Sequence, residues 1–418
     1  MDNILEPYDN GKLHLKNRII KSGIYEGRCN PHGFPLQSYI DYYKTFAMNG
    51  VGGLITGFAY ISPEGRAMQP LQAGIDHPDK VPYYQKVTKA VHSQGCPIFL
   101  QIAHAGRQTL KRITRSAIRG SSSKRSAYFR GRPIPLLKGE VYLKIREFAD
   151  AASLAKESGF DGIQLHAAHG YLIHQFLLSA INDRKDEFGI DKNTGIGSAF
   201  LEQVIAAVRQ KCGDDFPVLV KISGGIDLFP EFTLEHFEKL IRFLDKMAVD
   251  AIEISYGTMD HALNIFRGDM PEELILSRNP IIGSRNSIKR AFNKNFILPR
   301  FKRKLIPFTP AYNLDYAYRA KAITKIPVIS VGGFRTGDEI REAILTGKTD
   351  LVGLARPLIC EPDFIIRLKT DGSYQSRCKN CNFCSVMCDS LHETRCYKLK
   401  IKKYGTFRQN SIHHQPEC

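Results

Sequence analysis

The chain has 418 residues, 43% of them hydrophobic, and a formal net charge of +17. That is room for one large domain with a small module or for two ordinary domains, with ample apolar content for a packed core. The start, Met1-Asp-Asn-Ile-Leu-Glu-Pro, lacks the basic and apolar regions of a secretory signal, and no apolar run is long enough to span a membrane, so a soluble, cytoplasmic protein is expected.

Along the chain, short β-branched or apolar runs recur at 17–22, 53–56, 97–102, 161–165, 217–222, 250–254, 327–331 and 350–354. Most are entered through a Gly, Pro or Asp. The segments between them carry helical spacing, as in Leu201, Val204, Ile205 and Val208. Eight continuous apolar strands alternating with helices predict a parallel sheet buried on both faces. The count and the length favour a closed (β/α)8 TIM barrel over residues 1–368. An open doubly wound sheet would carry a Gly-rich fingerprint after its first strand, and Lys21-Ser-Gly-Ile-Tyr-Glu-Gly27 lacks that spacing. Two connections are long, 107–140 and 257–313, and are expected to form rims or lids at the active face. Residues 369–418 read as a Cys-rich and then basic tail.

Charge is concentrated in two runs. Residues 107–138 hold ten Lys/Arg and no acid, and 285–304 hold eight and no acid. Such runs can attract phosphates, nucleic acid or an anionic membrane. A solvated surface is the favoured reading, since aromatic interleaving in the first run is confined to Tyr128 and Phe129. Neither nucleic acid nor a membrane is expected as a partner.

The strand at 161–165 leads into His166-Ala-Ala-His-Gly-Tyr171. This places His166, His169 and Tyr171, three donors of hydrogen bonds or protons, at the C-terminal end of a strand, where barrel chemistry is done. The plainer readings are a satisfied strand-end histidine and a rim aromatic. Zinc ligation by the histidine pair is disfavoured because no third ligand is evident. Further on, Ser330-Val-Gly-Gly333 ends strand seven just before a helix, and Leu354-Ala-Arg-Pro357 ends strand eight. Paired glycine amides at a helix start, with the Arg356 fork beside them, suit a phosphate. Six cysteines crowd the tail: Cys378, Cys381, Cys384, Cys388, Cys396 and Cys418. In a cytosolic chain such spacing suggests metal or cluster ligation rather than disulfides.

Together these motifs, with Leu15-Lys-Asn-Arg-Ile-Ile20, Ser62-Pro-Glu-Gly-Arg66, Gln101-Ile-Ala-His-Ala-Gly-Arg107 and Asn182-Asp-Arg-Lys-Asp-Glu-Phe-Gly189, give the chain a family look. It resembles the Old Yellow Enzyme family of FMN-dependent NAD(P)H oxidoreductases, including the barrel part of bacterial 2,4-dienoyl-CoA reductase. The resemblance implies FMN at the barrel mouth, reduced by NAD(P)H, and hydride transfer to an activated C=C bond. It implies flavin-ring contacts from Ser22, Gly23, Ile24, Phe58, Gln101 and Lys221, the last a cation near N1 and O2 that favours anionic reduced flavin. It implies phosphate contacts from Gly332, Gly333, Ala355 and Arg356. His166 and His169 match the pair that polarises the substrate's oxygen, and Tyr171 matches the proton donor. Cys378, Cys381, Cys384 and Cys396, with Cys388 as an alternative, lie close to the reductase's cluster pattern, one residue short between the second and third cysteines. A [4Fe–4S] cluster, a zinc ion and free thiols all stay open.

Departures from the family pattern are Tyr25, in place of a Thr or Cys, the bulky Phe58, the lysine at 221 where arginine is frequent, and Gly189-Ile-Asp in place of Gly-Gly-Ser. The expected function is an ene-reductase acting on an α,β-unsaturated carbonyl or thioester. Alternatives are an iron–sulfur flavoprotein fed by an electron-donor protein, an FMN barrel that modifies or binds RNA, and a non-catalytic scaffold with a partner-binding tail. Homo-oligomerisation is left open.

Overall fold

A computed structural model describes residues 4–398; residues 399–418, with Cys418 and the basic end of the expected tail, lie outside the described residues. Eight parallel strands form the centre: β1 (Ile19–Lys21), β2 (Gly53–Ile55), β3 (Ile98–Ala103), β4 (Gly162–Ala167), β5 (Val218–Ser223), β6 (Ala251–Ser255), β7 (Val328–Val331) and β8 (Leu351–Leu354). Neighbours in sequence are neighbours in space, and β8 pairs back onto β1 through Gly353 and Ile20, so the sheet closes. The expected TIM barrel is the fold found. No helix among the described residues is long and apolar enough to cross a membrane.

The closure follows from the sequence pattern. Every residue of β3, β4, β5, β6 and β8 is buried, as strands covered on both faces must be. Alternate side chains point inward. Ile20, Ile55, Phe99, Leu219, Ala251, Ile329 and Leu351 fill the lower barrel, plugged from below by Leu13 and Leu15. These two come from a short N-terminal hairpin that pairs Tyr8–Asp9 with His14–Leu15. The outward side chains meet a ring of helices: α1 (Gln37–Met48), α2 (Val81–His92), α3 (Lys138–Glu157), α4 (Ala199–Cys212), α5 (Leu234–Lys246), α6 (Leu314–Lys321), α7 (Gly337–Leu345) and α8 (Phe364–Thr370). Beyond α8 the chain returns to the barrel mouth, where a short helix, Phe383–Met387, packs on the helix Glu272–Arg278.

The Pro and Asp marks at the strand entries have a physical role. Asp161, Asp250 and Asp350 each precede a strand and accept the first backbone N–H of an earlier one: Ile98 at 2.7 Å, Val218 at 2.7 Å and Val328 at 2.8 Å. Each of those three residues follows a proline, which has no N–H of its own. Asp250 also pairs with Arg209 at 2.6 Å. Asp250→Ala therefore strands two donors at the barrel base and is expected to cost about 1–3 kcal/mol. The loss should appear as a lower urea midpoint with an unchanged slope; equal midpoints would mean that water serves both groups.

Candidate active site

Strand β4 delivers the central groups. Gln164 and His166 face inward, and the chain then turns sharply. His169 has φ +60° and Gly170 φ +77°, two successive left-handed residues that break the strand and start the helix Leu172–Leu177. A Cβ on Gly170 would meet Gln108 Nε2 at 2.7 Å, so glycine is required there. The turn is held by Met259 N–H on the His169 carbonyl at 2.9 Å, and His169 Nε2 meets Ser255 Oγ at 2.8 Å. His166 then lies 4.9 Å from the His169 ring and 4.8 Å from the Tyr171 ring, and Phe58 stands 5.2 Å from Tyr171. All four line one cavity of about 170 Å3. Burial first, and the Lys221 charge after it, hold the His166 imidazole well below its usual range. His169 is held down by burial, then by His166 and Lys221. Burial lifts the Tyr171 phenol, with help from Asp389 and Cys388. The trio presents two neutral imidazoles and one protonated phenol.

Below it, the strands supply a polar line. Gln101 Nε2 donates to Gln164 Oε1 at 2.6 Å, Gln164 Nε2 donates to Glu253 Oε2 at 2.8 Å, and Lys221 Nζ pairs with the same Glu253 oxygen at 3.3 Å. Glu253 Oε1 and Ser22 Oγ are buried without a partner. Both crowd the face of Gly353, where an added Cβ would lie 2.2 Å from Ser22 Oγ and 3.3 Å from Glu253 Oε1. The expected cation at 221 is thus already matched by an acid from β6, which the sequence reading did not include.

A cleft runs from this floor to the ends of β7 and β8. It is lined by Ser22, Gly23, Ile24, Lys221, Gly332, Gly333, Ala355 and Arg356, so the expected ring and phosphate contacts share one groove. Gln101 and Phe58 join it from the cavity above. Three guanidinium groups gather at its far end. Arg356 donates to the carbonyls of Phe266 and Arg267 and to Asn382 Oδ1. Arg267 stacks on Tyr312 at 4.3 Å, and Arg335 donates to Asn380 Oδ1. None of the three has a carboxylate partner among the described residues, and Nε of Arg267 and of Arg335 is buried unpartnered. Unpaired cations with orphaned donors beside Gly332 (φ +128°) and Gly333 (φ +90°) make an anion cradle. The lining of the groove and its unpaired guanidinium groups fit the chemistry of FMN, an anion joined to a flat ring.

The family model for the NADH:flavin oxidoreductase / NADH oxidase family matches residues 3–271. The chain belongs to that family. Membership brings FMN as cofactor. The chain is 29% identical over 380 residues to an NADH oxidase of Thermoanaerobacter brockii, covering 90% of this chain and 52% of that one. It is 27% identical over 412 residues to a cinnamate reductase of Clostridium sporogenes, covering 92% and 57%. In fold it is similar to a 2-naphthoyl-CoA reductase in complex with 2-naphthoyl-CoA, with TM-score 0.77, 20% identity, and 93% and 56% coverage. The chain spans about half the length of these relatives.

Other features of this family member were not legible beforehand. Asp260, fully buried, accepts from Arg107, Gln108, Ser126 and the Ala127 N–H. It pins both long connections over the cavity, and Arg107 of the first basic run is spent in that pairing. Asn279 links Tyr128 to Asp389 at the cavity wall. Cys378, Cys381, Cys384 and Cys396 are not drawn into a ligand set: among the described residues no three His, Cys, Asp or Glu side chains are gathered to hold a metal ion. Cys396 meets Cys360 instead. Cys388, the alternative ligand, turns inward, with Thr394 Oγ1 at 3.4 Å, and lines the cavity. Burial pushes the Cys384 thiol up to about 11, which keeps it protonated.

Burial also lifts the Asp389 carboxyl to about 7. Between an exposed carboxyl's value near 3.8 and this one, the folded chain holds a proton that the unfolded chain has released. Stability should therefore fall as pH rises through that window, by on the order of 1–3 kcal/mol. Asp389→Asn should remove that slope. Urea unfolding of both proteins at pH 5 and pH 8 tests it, and identical pH dependence would place the carboxyl in contact with water.

Proposed function

We propose that the chain is an ene-reductase: electrons from NAD(P)H reduce the activated C=C bond of an α,β-unsaturated carbonyl or thioester, with Tyr171 as proton donor. The observation that carries this reading is the meeting of His166, His169 and Tyr171 in one largely apolar cavity above the FMN-compatible groove. FMN, when bound, supplies the hydride for the substrate's β-carbon.

Ser22, Gly23, Ile24, Phe58, Gln101 and Lys221 would hold the ring, and Gly332, Gly333, Ala355 and Arg356 the phosphate end. His166 and His169 grip the substrate's carbonyl oxygen. Being neutral, they donate N–H bonds that strengthen as negative charge develops on that oxygen. The contact with Ser255 fixes the His169 ring. Tyr171 keeps its proton until the α-carbon needs it, then regains one from solvent. The apolar walls keep water off the reacting atoms while substrate fills the cavity, so the phenol is reprotonated only after product leaves. Similarity to a cinnamate reductase supports a substrate of this class.

Tyr171→Phe should slow alkene reduction roughly 10²–10⁴-fold while leaving reduction of the flavin by NAD(P)H near normal. Stopped-flow measurement of the two half-reactions separates them, and a parallel fall in both would remove Tyr171 from the donor role. Arg356→Ala should weaken FMN retention, read as the flavin-to-protein absorbance ratio after gel filtration. An unchanged ratio would take Arg356 out of the phosphate site.

A further inference from the structure

The second basic run folds into a continuous helical segment over the cavity, from Ser287–Phe292 through Asn293–Ile297 to Leu298–Lys302. Its inner face belongs to the site: Leu298 and Phe301 line the cavity, and Asn293 Nδ2 anchors on the Ile282 carbonyl at 2.6 Å. The outer face is apolar where a surface helix would ordinarily be polar. Ile288, Phe292 and Phe296 follow one another at four-residue steps and are 80%, 53% and 56% exposed. The two phenylalanine rings lie 5.1 Å apart, so the stripe is continuous.

Cations flank the stripe. Of the eight Lys/Arg in 285–304, three are paired: Arg290 and Lys294 with Glu273, and Lys302 with Glu272. Arg285, Lys289, Arg300, Arg303 and Lys304 make no ion pair among the described residues.

We propose that this outer face docks on a bilayer rich in anionic phospholipid, Ile288, Phe292 and Phe296 entering the headgroup boundary and the unpaired cations resting on the lipid phosphates. Charge complementarity selects the occupant. An aromatic stripe set among cations is the composition of helices that lie in a membrane surface, where apolar burial and attraction to anionic lipid add. A second copy of this chain would bring the same unpaired cations against themselves. A nucleic acid would use the cations and leave Ile288 exposed, since an aliphatic side chain stacks poorly on bases. The helix does not span the membrane. Loading of a lipid-dissolved substrate through this lid rests on the ene-reductase reading, while the docking does not.

The test is co-sedimentation of the FMN-loaded protein with vesicles of phosphatidylcholine alone or mixed with phosphatidylglycerol. Binding should be at least roughly tenfold tighter to the mixed vesicles and weaken with salt. The F292S/F296S double variant should lose at least roughly tenfold of it. That variant should keep its flavin content and its alkene reduction in solution, which shows that the fold and the reaction are intact. Equal binding to both vesicles, no binding, or unchanged binding by F292S/F296S would overturn the proposal. So would tighter binding to single-stranded RNA than to mixed vesicles, which would make the face a polyanion site. A concentration-dependent dimer abolished by F292S/F296S would assign the face to a second copy. Failure of alkene reduction alone, with vesicle binding intact, would strike the reaction and not the docking.

Discussion

A carboxylate sealed inside the barrel constrains what lies above it. Glu253 has no exposed side-chain surface, and a charge so placed costs several kcal/mol unless it is paired and hydrogen-bonded. The register of β5 and β6 sets Lys221 directly beside it, and Gln164 reaches it from β4. This fixes the amides in turn. Gln164 must give its nitrogen to Glu253, so its oxygen must accept from Gln101, and Gln101 is left with its own carbonyl oxygen uncommitted at the groove. One buried charge on β6 thereby orients an acceptor on β3. The same acid tempers the cation that the groove offers at Lys221, which would raise the cost of placing negative charge on a ring beside it.

The roof depends on a second buried acid. Asp260 gathers donors from the connection after β3, and lies itself at the start of the connection after β6. Two long surface segments that would otherwise be mobile are bound at one point directly over the cavity. The inner faces of the β6 connection then supply the apolar wall, from Leu263 to Phe301. The same segment carries the outward stripe at Ile288, Phe292 and Phe296, so lid and surface are one element seen from two sides.

The barrel was legible because its signal is local: apolar runs bounded by Pro, Gly and Asp, repeated at helix-length intervals. Those marks hold hydrogen bonds between strands at their entries. His166, His169 and Tyr171 were legible for the same reason, falling within six residues on one turn. The rest was spread across the chain. Lys221 and Glu253 are 32 residues apart and meet only through strand register, and Tyr128, Asn279 and Asp389 come from three separate segments. The N-terminal hairpin is too short to show a strand period. The cysteine pattern left cluster, zinc and free thiols open because it does not include the partners that Cys388 and Cys396 meet in the fold, Thr394 and Cys360.

The segment after α8 is bound into both ends of the groove. At the cradle, Asn380 and Asn382 sit in left-handed backbone, a conformation asparagine tolerates, and each accepts from one of its arginines, Arg335 and Arg356. At the cavity, Cys388 and Asp389 form part of the wall and add to the burial that raises the phenol of Tyr171. The two asparagines set the orientation of the cradle's guanidinium groups, and Asn279 holds the acid near Tyr171. The guanidinium cradle and the surroundings of Tyr171 are thus joined by one stretch of chain about ten residues long, along a path separate from the barrel strands. A shift of that stretch would disturb the cradle's guanidinium groups and the surroundings of Tyr171 together, because the same backbone positions their neighbours.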